Sequence, residues 1–283
     1  MKKRLSIAIV GNPAKTGVKA AVRDLRKLVA AQARLKLAGV TLSRSADLSR
    51  MGADFVLALG GDGTMLSVCR RMGERQRPVL GIKFGHKGFL AEVQPEEMKE
   101  AVERLAAGRY AISKRLRVEG EVRRAGRAVH QLVALNDLVV HSGPMARVIF
   151  LDVRVDGELV SSYDADGVII ATPTGSTAYS LAAGGPIVAP EIDALVVTPI
   201  CAHTLAARPM VVGPGSVIEV RVVSRERTAA LTADGQVPVK LLSGDAVSVR
   251  RAKQPFLLVE LGERQRYQAI RENLHWAPGT KVR

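Results

Sequence analysis

A chain of 283 residues that is 47% hydrophobic can bury a substantial core, and its length suits two modest domains better than one. Its formal charge of +15 points to polyanionic partners, yet the basic residues are scattered and aromatics make up only 4%, which excludes an aromatic-interleaved basic stripe of the kind that stacks nucleobases. Two cysteines outside any CxxC spacing and five histidines in no ligand cluster exclude a disulfide framework and a structural zinc site.

Cys69 and Cys201 read as buried, reduced thiols of a cytoplasmic protein. The N-terminal Met1-Lys2-Lys3-Arg4 is basic, but the apolar Leu5 to Val10 behind it is too short for a signal peptide. No apolar run approaches the ~20 residues that span a bilayer. The sequence therefore predicts a cytoplasmic chain with neither a membrane nor a nucleic acid as partner.

In chain order, Leu5 to Val10 reads as a buried strand ended by Gly11-Asn12-Pro13, and Val18 to Leu37 as one amphipathic helix with Val18, Val22, Leu25, Leu28 and Val29 inward. A short strand is predicted at Val40-Thr41-Leu42. Phe55 to Leu59 is apolar without alternation, as in a strand buried on both faces of a parallel sheet. It runs into Gly60-Gly61-Asp62-Gly63-Thr64 and then into helical composition from Thr64 to Arg71. A strand, a cluster of glycines and a helix describe a turn whose backbone can approach a ligand and whose N–H groups face an anion. Asp62 is the odd member. A carboxylate repels phosphate unless a cation lies between them or the carboxylate takes a proton from an attacking hydroxyl. The alternative is an ordinary tight turn with a surface Asp.

Pro78 to Ile82 supplies a further strand, so strands and helices alternate and favour a parallel sheet with right-handed crossovers, with ligands beyond the carboxyl ends of its strands. Gly81 to Leu90 is a second glycine-punctuated stretch, which reads equally well as a turn with a hydrophobic plug. Pro95 to Ala107 has Pro in its first turn, early acidic residues and Gly108 at its end, as a capped helix does. From Arg109 the pattern changes. Leu116 to Glu119, Val148 to Val155 and Val217 to Val223 alternate, and Asp156-Gly157 and Asp234-Gly235 are hairpin dipeptides, so the second half reads as a sandwich or a compact set of antiparallel sheets. A last strand, Phe256 to Leu261, precedes a helical stretch, Glu263 to Leu274, near Trp276. The predicted division is 1–109, 110–255 and a 256–283 tail.

Within the β-rich half, Asp166-Gly167 runs through an apolar strand into Thr172-Pro173-Thr174-Gly175-Ser176-Thr177-Ala178-Tyr179-Ser180, which gathers hydroxyls and backbone N–H groups at a strand end. Such a cluster suits ribose hydroxyls and phosphates, or is a structural turn. Asn136-Asp137 ends another apolar run, where a polar pair could read a nucleoside edge.

Together these segments closely resemble the NAD kinase family. The resemblance rests on Gly60 to Thr64, Gly88-Phe89-Leu90, Asn136-Asp137, Asp166-Gly167, Thr172 to Tyr179, Gly184-Gly185-Pro186, Ile200 to Leu205 with Arg208-Pro209, and Asp234-Gly235-Gln236. The first motif is shared with diacylglycerol and sphingosine kinases; the Thr-Pro-Thr-Gly-Ser-Thr-Ala-Tyr segment is far more specific. The resemblance implies a Rossmann-like parallel α/β domain, a β-sandwich-like dinucleotide domain, and a tail returning to the first domain. It implies transfer of the γ-phosphoryl group of ATP, or of polyphosphate, to the 2′-hydroxyl of the adenosine ribose of NAD, giving NADP. A divalent cation, Mg or Mn, and a homodimer or homotetramer are implied with it. By position, Asp62 is implied as catalytic base, with Gly61, Gly63 and Thr64 at the phosphates. Asn136, Asp137, Arg147, Asp164, Asp166, Thr174, Thr177, Ala178, Tyr179, Ser180, Ala182 and Gln236 are implied at the nucleotide. Three residues depart from the family pattern: Asp137 stands where Glu is common, Lys83 where Asn is common, and Asp164 where many bacterial members carry Arg. A lipid kinase would need an apolar entrance for acyl chains, and a non-catalytic dinucleotide sensor would have no need of Asp62.

Overall fold

Strand β1 (Leu5–Gly11) is buried from Ser6 onward and has neighbours on both sides. Helix α1 (Val18–Ala31) follows, then β2 (Leu35–Thr41), β3 (Phe55–Gly60), α2 (Asp62–Met72), β4 (Val79–Lys83), α3 (Met98–Ala107) and β5 (Ala111–Arg115). The computed structural model describes residues 4–85, 88–143, 148–224, 229–262 and 268–274. It divides into one unit of Met1–Lys114 with Phe256–Arg283 and another of Arg115–Pro255.

The predicted helix from Val18 to Leu37 is too long: it ends at Ala31, and Leu35 begins β2. Helical composition continues through this stretch, but Leu35 is fully buried and pairs in parallel with Leu5, so the sheet claims the residue against its local preference. The strand is accordingly longer than the predicted Val40 to Leu42.

In the second unit β6 (Val118–Arg124), β7 (Arg127–Ala134), β8 (Asp137–Ser142), β9 (Ile149–Val155), β10 (Glu158–Ala165), β11 (Gly167–Ala171), the short helix α4 (Tyr179–Ala182), β12 (Leu195–Ile200), β13 (Met210–Val212), β14 (Ile218–Val222), β15 (Ala229–Ala233), β16 (Gln236–Leu241) and β17 (Ala246–Arg251) follow. They form two six-stranded sheets, β10-β9-β14-β17-β6-β7 and β13-β12-β11-β8-β15-β16. Alternate residues of both sheets, among them Val118 and Val122, Leu138 and Val140, Leu151 and Val153, and Val168 and Ile170, meet in one apolar cluster, which is the core of a sandwich. Asp156-Gly157 and Asp234-Gly235 turn the hairpins β9–β10 and β15–β16 with positive φ at both residues, the geometry that suits the twist of paired strands.

Strand β18 (Phe256–Glu260) belongs to the first unit, where the sheet order is β2-β1-β3-β4-β18-β5, and α5 (Gln268–Asn273) follows it. Trp276 lies outside the described residues. The pairs β1–β2, β1–β3, β3–β4 and β4–β18 are parallel. Chain order reverses beside β1, which makes the carboxyl ends of β1 and β3 the topological switch point. One face of the sheet buries Ile7, Ile9, Leu57, Leu59, Leu80 and Ile82 against α1 and α3. Met65 of α2 lies against Gly81 on the opposite face. Cys69 is buried as predicted; Cys201 is exposed, because it lies in the turn beyond β12 rather than within the strand. None of the described helices is long and apolar enough to cross a membrane.

Candidate active site

Asp62 opens α2 at the switch point, with Gly61 as the N-cap residue. The Thr64 N–H returns to the Gly61 carbonyl at 2.8 Å, and a Cβ on Gly60 would collide with the Thr64 side chain, so this strand-to-helix corner closes only around glycine. Gly63 is exposed and Thr64 half-buried on the same turn.

The Asp62 carboxylate is a hydrogen-bond acceptor on both oxygens. The Phe89 N–H donates to Oδ2 at 2.7 Å, while the N–H groups of Leu90 and Ala91 donate to Oδ1 at 3.0 and 3.3 Å. Gly88 is what lets the loop approach, because a Cβ there would lie 2.6 Å from Asp62 Cγ. The second glycine-punctuated stretch is therefore a clamp on Asp62. The Gly88 carbonyl in turn accepts a hydrogen bond from Asn273 Nδ2 of α5 at 3.1 Å. Lys83, at the end of β4, lines a cavity of about 490 Å³ together with Gly88, Glu272 and Asn273.

The second unit carries its own cavity of about 680 Å³, within the range of small-molecule sites. Asn136, Asp137, Asp166, Ala178 and Tyr179 line it, and strand geometry explains why. Along β8 the residues Asp137, Val139 and His141 share one face while Leu138 and Val140 point into the sandwich core. Asp166 joins β10 to β11, with its N–H donating to the Ile200 carbonyl at 3.0 Å and its carbonyl accepting from the Ser142 N–H at 2.8 Å.

The Asn136-Asp137 pair is held by Asp234. The Asp234 carboxylate accepts the N–H groups of Leu135 at 3.1 Å, Asn136 at 2.7 Å and Asp137 at 3.4 Å. The Asp137 carboxyl is nearly buried, and burial, aided by repulsion from Asp234, pushes its pKa up to about 7. Two acids in one wall thus divide their roles, one spent on backbone N–H groups and the other facing the cavity.

The remaining predicted residues lie elsewhere. Thr174 and Thr177 form a 3₁₀ turn in which the Thr177 hydroxyl donates to the Thr174 carbonyl at 3.3 Å. Ser180 is buried against Thr198 at 2.9 Å, and Ala182 is exposed at the end of α4. Asp164 is exposed on β10, in the other sheet, and Gln236 starts β16 half-buried; neither lines the cavity. Arg147 lies outside the described residues. The cavity wall adds Ile200, Cys201, Asp234 and Gly235, which lie in segments that carry the resemblance but have no role assigned there, and His141, Ser142 and Thr232, which the sequence does not single out. The alternation of Asp137, Val139 and His141 is the signal that could have found His141.

Residues 13–110 match the family description "ATP-NAD kinase N-terminal domain" and residues 135–261 match "ATP-NAD kinase C-terminal domain". The chain is 43% identical over 224 residues to a protein of Geotalea daltonii named NAD kinase, covering 79% of each. It is 45% identical over 221 residues to one of the same name from Symbiobacterium thermophilum, covering 78% of each. Among solved structures, yeast NADH kinase complexed with NADH superposes with a TM-score of 0.90 at 25% identity, covering 100% of this chain and 91% of that one. The NAD kinase of Archaeoglobus fulgidus in complex with ATP gives 0.78 at 26% identity, covering 96% and 100%.

Proposed function

Because the chain belongs to the NAD kinase family, we propose that it transfers the γ-phosphoryl group of ATP to the 2′-hydroxyl of the adenosine ribose of NAD, giving NADP. The observation that carries this reading is Asp62, a carboxylate at the switch point of a parallel sheet, held at a helix start by the N–H groups of Phe89, Leu90 and Ala91. A ribose hydroxyl is a poor nucleophile at neutral pH, so a carboxylate within hydrogen-bond reach must accept its proton as it attacks the γ-phosphorus. Asp62 takes that role: of its roughly four lone-pair sites three accept the N–H groups of Phe89, Leu90 and Ala91, which leaves one on Oδ2 for the hydroxyl. The backbone N–H groups of Gly61 and Gly63, together with the Thr64 side chain, face the phosphates, where fixed dipoles offset developing charge.

Asn136, Asp137, Asp166, Ala178 and Tyr179 take the dinucleotide, with Asp137 accepting hydrogen bonds from ribose hydroxyls. Thr174, Thr177, Ser180 and Ala182 shape the turn beneath it, Asp164 and Gln236 contribute from outside the wall, and Arg147 is assigned to the nucleotide on the family resemblance alone. Among the described residues no three His, Cys, Asp or Glu side chains converge on a cation position. Asp62 also spends acceptor capacity on N–H groups. The described residues therefore do not fit a protein-held metal ion, and a divalent cation, Mg or Mn, would enter on the phosphates of the nucleotide. A cytoplasmic homodimer or homotetramer completes the proposal.

A coupled assay decides it. NADP should form from NAD with magnesium and ATP, and parallel reactions with polyphosphate and with NADH set the donor and acceptor preference. No NADP or NADPH from any pairing would reject the reading. Light scattering gives the assembly.

A further inference from the structure

We propose that Asn273, in the tail helix α5, is a positioning residue for Asp62 that acts through a single peptide group. The Gly88 carbonyl that accepts from Asn273 Nδ2 and the Phe89 N–H that donates to Asp62 Oδ2 are the two ends of the Gly88–Phe89 peptide bond. That unit is planar and trans, so its carbonyl and its N–H point in opposite directions. Pinning the carbonyl at 3.1 Å on one side therefore aims the N–H, at 2.7 Å, on the other.

The pin has a specific task. Gly88 lacks a Cβ because one would collide with the Asp62 carboxylate, and glycine is also the residue about which a peptide plane turns most freely. Rotated by half a turn, the same peptide would present its carbonyl oxygen to the carboxylate, replacing attraction by repulsion. Loop closeness demands glycine, glycine permits the flip, and Asn273 opposes it. Donation to the carbonyl also polarises the peptide and strengthens its N–H as a donor. The chain from Asn273 through Gly88–Phe89 to Asp62 links α5 to the proposed proton acceptor.

The role of Asn273 rests on Asp62 as the base, and kinetics separate the two. Asn273→Asp is nearly isosteric but places an oxygen against the Gly88 carbonyl and cannot donate when ionised. Steady-state kinetics of the full-length enzyme should show kcat lowered about three- to tenfold, the range of one hydrogen bond, with KM for NAD unchanged. The same substitution in an Asp62→Asn background should lower kcat no further, because the atom being positioned has lost its function. An unchanged kcat, a rise in KM alone, or an equal loss in both backgrounds would overturn the proposal. If Asn273→Asp melts markedly lower than wild type, the same cycle is run with Asn273→Ala, which merely removes the donor, and the same outcomes decide. Asp62→Asn by itself reports on the base: near-full turnover there sinks that reading whatever Asn273 does.

Discussion

Asp234 Oδ1 accepts the backbone N–H of Asn136 at 2.7 Å, from a hairpin turn 98 residues further along the chain. The same carboxylate takes the N–H groups of Leu135 and Asp137, and the Asp234 N–H donates back to the Asp137 carbonyl at 3.0 Å. The cavity wall is thereby fixed by one carboxylate bonded to the main chain, independent of any ligand. Asp234→Ala would take the acceptor from three N–H groups at a cost of about 3 kcal/mol or more, since each unmet buried donor costs about 1–3 kcal/mol. Thermal unfolding should register that loss, and KM for NAD should rise at least tenfold. Asp234→Asn keeps one carboxamide oxygen in place and should lose less of both. Equal damage from the two substitutions would contradict the anchoring role.

The Gly60 to Thr64 turn was legible in the sequence because glycine, which tolerates close approach, leaves a mark at the residues it serves. The same holds for the switch from unbroken to alternating apolar runs near Arg109, which separates the parallel sheet from the sandwich. The hydroxyl-rich segment was harder. Ser176 donates to the Pro173 carbonyl at 2.7 Å and accepts the Val188 N–H at 3.0 Å, while Ser180 pairs with Thr198. These hydroxyls satisfy the loop itself, and only Ala178 and Tyr179 face the cavity. A hydroxyl's partner is chosen by tertiary position, which composition does not carry. Asp234 was hidden for the same reason: a DG dipeptide announces a hairpin but not that its carboxylate reaches the start of β8.

Gly88→Ala should be damaging out of proportion to one methyl group. The added Cβ lies 2.6 Å from Asp62 Cγ, so the loop or the carboxylate must shift. We expect kcat to fall at least tenfold while the protein remains folded, because the strain is confined to the loop. Gly52→Ala is the control, having open space around the added atom. A Gly88→Ala enzyme with wild-type kcat would show that the clamp on Asp62 is dispensable.

Asp62 and Asp137 should fail differently. With Asp62 as the proposed base, Asp62→Asn should lower kcat about 10² to 10⁴-fold, with KM for NAD little altered. Asp137→Ala removes contacts present in both ground and transition states, so KM for NAD should rise about ten- to hundredfold at nearly constant kcat, the equivalent of one charge-assisted hydrogen bond. Collapse of kcat in Asp137→Ala would move that residue into the chemistry.

The raised pKa of Asp137 makes both stability and binding depend on pH, with opposite signs. Its carboxyl titrates at about 7 in the folded protein against 3.8 for an ordinary Asp, with burial the larger cause and Asp234 the smaller. A folded-state pKa above the unfolded one means the native protein binds this proton more tightly. The stability it contributes is complete below about pH 4 and is lost as pH rises through about 7. The ligand-free protein should therefore unfold at progressively lower temperature from about pH 4 to about pH 7 relative to Asp137→Asn, which mimics the neutral acid and carries no such titration. Binding runs the other way. The charged carboxylate is the better acceptor for ribose hydroxyls, so KM for NAD should fall as pH rises across about 7 and be flat in Asp137→Asn. Asp234→Asn removes the smaller cause only, so it should move the midpoint part of the way toward the ordinary carboxylate range. Parallel pH profiles in wild type and Asp137→Asn would assign the titration to another group.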